Sequence, residues 1–107
     1  MDKFYALAEP TRRKILEMLA KEGQLSATEI SDRFDVSPSA ISQHLKVLRE
    51  AGLVQMEKRA QQRLYRINPD AMLEVESWAR HMTQLWQRFE ARDALLKAEK
   101  LKQEEEQ

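Results

Sequence analysis

Two groups of polar side chains in this 107-residue chain have the types and spacing to do chemistry. The first is Ser39, Ser42, Gln43 and Lys46, with Ser37 just ahead of them. At 100° per residue these four share one side of a helix, opposite Ile41, Leu45 and Leu48. Exposed helix faces usually carry Glu and Lys; here they carry short hydroxyls and one amide, which allow a close approach to base edges. Gln can bond adenine through two hydrogen bonds, and Ser can bond several bases. A helix N-terminus at Ser37 favours a phosphate. The second group is Lys58, Arg59 and Arg63, three cations without an anion between residues 58 and 63. That composition suits phosphate oxygens or a minor groove. Catalysis lacks its raw materials. The chain has no cysteine, two glycines and two histidines, and no acid–base set at a working spacing.

The elements that must position these groups are marked by their starts and stops. Ser26 and Glu29 form an S-x-x-E capping box, with Leu25 and Ile30 at the spacing of a hydrophobic staple. A helix over Ser26–Phe34 buries Ile30 and Phe34. Ser37 is an N-cap with Pro38 at the first helical position, where its missing N–H costs nothing. Val36 and Ile41 repeat the staple spacing. The helix over 38–51 ends at Ala51-Gly52. Two capped helices in succession outline a helix-turn-helix. After Gly52 the period changes to two: Val54 and Met56, then Tyr65 and Ile67, predict two strands and a hairpin with a basic tip. A hairpin there is a wing. Its turn has no Gly or Asn-Gly, so a longer, looser loop over 58–63 is expected.

Asn68-Pro69-Asp70 is a third strong helix start. Val75, Trp78, Met82, Leu85 and Phe89, then Leu96, follow at 3,4 spacing, a heptad-like seam with Trp86 beside it. A helix over 69–99 would be ~45 Å long. A small domain cannot cover such a seam along its length, so it is read as a dimerisation helix, paired with a first helix carrying Phe4 and Leu7. The second helix, Thr11–Lys21, turns Ile15, Leu16, Met18 and Leu19 inward, and Gly23 follows it as a C-cap would. Arg12, Arg13 and Lys14 at its start have two readings, contact with DNA backbone and plain solvation, and solvation is favoured because three charges together are common on exposed turns. Gln24-Leu25 can make a one-bridge strand. The size fits one domain over 1–99, with a charged tail over 100–107 expected to fray.

Net charge is zero, but it is unevenly distributed. Residues 1–67 hold 12 Lys and Arg against 9 Asp and Glu, net +3; residues 68–107 hold 6 against 9, net −3. Between Ser37 and Arg66 there are 6 basic residues and 2 acidic ones. A local basic stripe is sufficient for phosphate contact on a neutral protein. No run approaches a membrane span, and Met1–Lys14 does not resemble a secretory leader, so a cytoplasmic protein is expected. The fold class that emerges is mainly α with a small β-hairpin: a winged helix-turn-helix dimerised through its N- and C-terminal helices.

These motifs resemble the ArsR-type (arsenic/zinc repressor-like) winged-helix transcriptional regulators of bacteria and archaea. The matching residues are Ala8–Arg12 with Ile15-Leu16, then Thr28–Ile30, then the run from Ser37 to Val54, then Arg63–Pro69. The resemblance covers about residues 3 to 95. It implies a homodimeric repressor of a nearby operon, with Ser39, Ser42, Gln43 and Lys46 in the major groove of a pseudo-palindromic operator and the wing on flanking DNA. Two departures matter. The family wing usually carries a Gly-Arg pair at its tip, where Ala60 to Gln62 stand here. The family's metal sensors use cysteine pairs or Asp/His/Glu sets on the last helix. This chain has no Cys, and His81 has Ser77, Gln84 and Leu85 as its helical neighbours, so neither metal nor cofactor is expected. His44 is read as a packed structural histidine. The alternative function is a winged-helix protein-interaction module that has lost DNA binding. An effector or partner protein is left open; a small apolar ligand at Trp78, Met82 and Trp86 competes with plain core.

Overall fold

The computed structural model describes residues 1–106. The order of elements is α1 (Lys3–Leu7), α2 (Pro10–Glu22), β1 (Leu25–Ser26), α3 (Ala27–Ser31), α4 (Pro38–Glu50), β2 (Val54–Arg59), β3 (Gln62–Ile67) and α5 (Pro69–Glu105). The three strands form one antiparallel sheet in the order β1-β3-β2. The chain divides into two compact units, Met1–Val75 and Glu76–Gln107.

The first unit is built as its caps dictate. The Ser26 hydroxyl accepts from the Glu29 N–H at 3.1 Å, and the Glu29 carboxylate accepts from the Ser26 N–H at 3.1 Å, completing the capping box. Ser26 also belongs to β1, where it faces Leu64 while Leu25 faces Tyr65. The first strand thus lies one residue later than expected and spans two bridges. The third helix stops at Ser31 rather than Phe34. From there the N–H groups of Arg33 and Phe34 reach back only three residues, to Ile30 and Ser31, and the tightened turn swings the chain toward Ser37.

Ser37 caps α4 through its hydroxyl on the Ala40 N–H at 3.2 Å. Val36, read as half of a staple, remains 47% exposed. At the other end Gly52 adopts φ +78°, donating to Arg49 C=O at 3.0 Å, while Leu53 donates to Leu48 C=O at 3.0 Å. This pair of bonds is a Schellman motif; it satisfies orphan carbonyls and requires the left-handed residue that glycine supplies. It also drops Leu53 into the core, fully buried.

That core gathers Ile15, Leu16 and Leu19 of α2, Leu25, Ile30, then Ile41, Leu45 and Leu48 of α4, with Leu53, Val54 and Tyr65. Each such large aliphatic side chain contributes roughly 1.5–3 kcal/mol by leaving water. The inward faces expected of α2 and α4 are therefore the observed ones. Among the large apolar residues expected inside, Met18 and Phe34 are only partly buried.

The hairpin corrects an expectation. Arg59 pairs with Gln62, so only Ala60 and Gln61 make the turn, in place of a loose six-residue loop. Ala60 takes φ +54°, a left-handed conformation ordinarily filled by glycine or asparagine. The register fixed by the core residues Val54, Met56, Tyr65 and Ile67 forces closure at this point, whatever residue stands there. At the hairpin's base Asn68 donates to Gly52 C=O at 2.9 Å, and its carbonyl oxygen accepts from the Asp70 N–H, starting α5.

In the second unit α5 runs on to Glu105, so Lys100–Glu105 of the tail expected to fray is helical; Gln107 lies outside the described residues. Strong helix formers and no Gly or Pro explain the continuation, with Arg80–Glu76 and Lys97–Asp93 pairs at i,i+4.

Candidate nucleic-acid interface

The core seats Ile41, Leu45 and Leu48, and that seating fixes the opposite side of α4. Ser39, Ser42, Gln43 and Lys46 are all exposed there. Ser37 is also exposed, but its hydroxyl serves the cap and lies 3.2 Å from the Ser39 hydroxyl. Pro38 has no N–H, Ala40 N–H is held by the Ser37 hydroxyl and Ile41 N–H by the Ser37 C=O, so the first turn offers a ligand the Ser39 N–H.

The wing divides its cations between two faces. Successive residues of a strand point to opposite sides of the sheet. Lys58 pairs with Arg63 across the hairpin, in the same alternating set as Met56–Tyr65 and Val54–Ile67, the core-facing pairs. Arg59 falls in the other set, where its guanidinium lies 3.3 Å from the Glu57 carboxylate. Arg63 therefore lines grooves against α4. One is shared with Ser42, Lys46, Arg49 and Tyr65, the other with Thr28, Ser31, Pro38 and Ser42. Lys58 and Arg63 stand directly opposite each other, an unfavourable placement unless an anion comes between them. The structure thus brings Lys46, Lys58 and Arg63 to one side and leaves Arg59 on the other.

Arg49 completes the groove and was not among the residues picked out from the sequence. Its signal was there: it follows Lys46 by three positions and Ser42 by seven, the spacing of one helix face. Glu50 also lines the groove, toward its far end.

Behind α4 lies a second polar cluster. Arg12 is 8% exposed, so it is not the solvated residue the sequence suggested. Its Nε donates to Ala6 C=O at 2.7 Å, Nη2 to Tyr5 C=O at 3.3 Å, and Nη1 lies 3.3 Å from His44 Nδ1. The short α1 leaves Ala6 C=O to the guanidinium, which also adds a second donor to Tyr5 C=O beside the Ala8 N–H. Arg13 does likewise for Leu7 C=O at 2.7 Å, while Lys14 is exposed as expected. His44 is structural, as expected, but its partners are Arg12 and, at 3.7 Å, the Glu9 carboxylate rather than apolar side chains. Desolvation pushes the Glu9 carboxyl up. Hydrogen bonds from the Arg12 and Thr11 N–H groups and the charge of Arg12 outweigh it, and the result lies below the ordinary glutamate value. At the opposite end of α2, Arg33 clasps Glu22 with both terminal guanidinium nitrogens, which lowers the Glu22 carboxyl and raises Arg33.

In the first unit, Phe4 is exposed and Leu7 is partly buried, while Lys3 pairs with Glu74 of α5 at 2.8 Å. Val75, at the boundary, is half-buried. In the second unit the seam residues Trp78, Met82, Leu85 and Phe89, with Trp86 beside them, are all 41–59% exposed. Trp86 stacks on Phe89 at 5.3 Å between centroids. No helix among the described residues is long and apolar enough to cross a membrane.

Residues 9–56 match a family model described as a bacterial regulatory protein of the arsR family. Over 75 residues the chain is 35% identical to the transcriptional repressor SdpR of Bacillus subtilis, covering 70% of this chain and 82% of that one. Over 96 residues it is 32% identical to the arsenic resistance transcriptional regulator ArsR1 of Pseudomonas putida, covering 90% and 75%. Among solved structures, an ArsR-like transcriptional regulator from Rhodococcus superposes with a TM-score of 0.72 at 31% identity, over 82% of each chain.

Proposed function

This chain belongs to the arsR family of bacterial regulatory proteins, and from that premise we propose that it is a homodimeric repressor of its own or a neighbouring operon, bound to a pseudo-palindromic site. Its relatives are named as transcriptional regulators and repressors, and it is a DNA-binding regulator, not an enzyme. In the proposed complex α4 enters the major groove. Ser39, Ser42 and Gln43 meet base edges, where hydroxyls and an amide discriminate. Lys46, Arg49, Lys58 and Arg63 meet the phosphates on either side, which position without specifying.

The observation that carries this reading is the groove between α4 and β3, where Ser42 stands with Lys46, Arg49 and Arg63. A protein-interaction module would have no use for three cations converging on a hydroxyl face. Support for the dimer comes from α5, whose Met82, Leu85, Trp86 and Phe89 lie exposed within two turns. Apolar surface of that extent marks an interface. A two-fold pairing through α5 and α1 would set two α4 helices about one DNA turn apart, ~34–36 Å.

A gel shift on the DNA upstream of its own coding region tests the proposal. A sequence-dependent shift that weakens steeply with salt is expected. Gln43→Ala should abolish discrimination between operator and unrelated DNA while leaving the dimer intact. Absence of any specific shift sinks the reading and favours the interaction module.

A further inference from the structure

We infer that Arg12 is a positioning residue: it ties the recognition helix α4 to α1 and so sets the distance at which the two halves of the operator are read. This rests on the dimeric reading above, in which α1, through Phe4 and Leu7, belongs to the subunit interface.

Burying a guanidinium is costly unless its donors are satisfied. On α2 the neighbouring inward positions are Ile15, Leu16 and Leu19, and an aliphatic residue at position 12 would fill space as they do. Arg12 does something an aliphatic residue cannot. One planar fork holds two carbonyls of α1, at 2.7 and 3.3 Å, and the imidazole of His44 in the middle of α4, at 3.3 Å. Its guanidinium also lies over the Tyr5 ring, 5.5 Å from the centroid. An arginine can only donate, so His44 Nδ1 must be the acceptor here. The contact therefore has a direction: α4 supplies the lone pair and α1 supplies the carbonyls.

The geometry is rigid because the fork is planar and its stem is enclosed. A helix of five residues has no stability of its own, so α1 sits where its caps hold it. Displacing α1 in a dimer contact therefore displaces α4, and the reverse holds as well. Neither Arg12 nor His44 needs to touch DNA for this. Their effect falls on the spacing of half-sites, not on which bases each half-site contains.

The test is competition binding to duplexes carrying two half-sites at graded separations, alongside a single half-site. The wild-type dimer should prefer one separation by about tenfold over neighbours two base pairs away, within the usual range of coupling between sites. In Arg12→Met and His44→Leu the preference should flatten to less than about threefold, with single half-site affinity and base preference unchanged. His44→Leu leaves the cap on α1 untouched, so it carries the test if Arg12→Met fails to fold. His44→Asn, whose Oδ1 replaces the Nδ1 lone pair, should restore the preference; a purely structural histidine would not be rescued in this way. Folded, dimeric His44→Leu protein with the wild-type spacing preference overturns the inference while leaving the dimeric reading in place. A wild-type protein indifferent to spacing overturns both.

Discussion

Arg59 and Arg63 sit near the tip of the same hairpin, yet removing them should have different consequences. Both Arg59→Ala and Arg63→Ala lower the protein's charge by one per protomer. If total charge governed affinity, the two variants would behave alike. The pleat places Arg63 with Lys58 on the side of α4, beside Lys46 and Arg49, and places Arg59 on the other side against Glu57. In the proposed complex four cations per protomer face the DNA, eight in the dimer. Counterion release gives a slope of log affinity against log salt of about −0.9 per phosphate neutralised, hence about −7 for the wild type. Arg63→Ala removes two contacts and should bring the slope to about −5. Between 50 and 200 mM salt, affinity should fall by about 10⁴ for the wild type and about 10³ for the variant. Arg59→Ala should keep the wild-type slope to within about 0.5. Fluorescence anisotropy with labelled operator over that salt range gives all three slopes. Equal slopes for the two variants, or a larger change in Arg59→Ala, would refute the assignment of faces.

Three further outcomes follow from particular contacts. Ala60→Gly relieves a left-handed alanine in the hairpin turn and should stabilise the fold by about 0.5–1 kcal/mol, read as a higher midpoint in thermal denaturation. Glu9 has a folded-state carboxyl below its ordinary value, so its contribution is present above that value and is lost as pH falls through the lowered one. Urea titrations from about pH 6 down to about pH 3 should therefore show wild-type stability declining more steeply than that of Glu9→Gln. A paired Leu85→Glu and Trp86→Ala change should give monomers in sedimentation velocity, with helix content near wild type by circular dichroism.

The elements that begin with a strong local signal were legible without tertiary knowledge. Ser26 with Glu29, Ser37 with Pro38, and Asn68 with Pro69 each satisfy backbone groups within three residues, so spacing alone reveals them. The outward face of α4 was legible because Ile41, Leu45 and Leu48 fix the inward one. What escaped was decided at long range. The two-residue turn at Ala60-Gln61 carries no turn signature, because strand register set it and the residue only tolerates it. Arg12 resembled its neighbours Arg13 and Lys14 until the carbonyls of α1 and the ring of His44 came near it. The end of α3 depended on how the chain had to turn toward α4. Arg49 shares a face of α4 with Ser42 and Lys46, which spacing shows, but the groove it lines has its other wall on β3, which only the fold supplies.

Ser26 has two roles at once, as the second residue of β1 and as the cap of α3. The wing therefore cannot be exchanged as a cassette. A chimera that swaps residues 54–67 between two regulators replaces Tyr65 and Leu64, the pairing partners of Leu25 and Ser26, and with them the edge from which the helix-turn-helix begins. A transplanted reading head must therefore keep 25–67 together, on a recipient that retains the α2 face of Ile15, Leu16 and Leu19 and the Arg12 that meets His44.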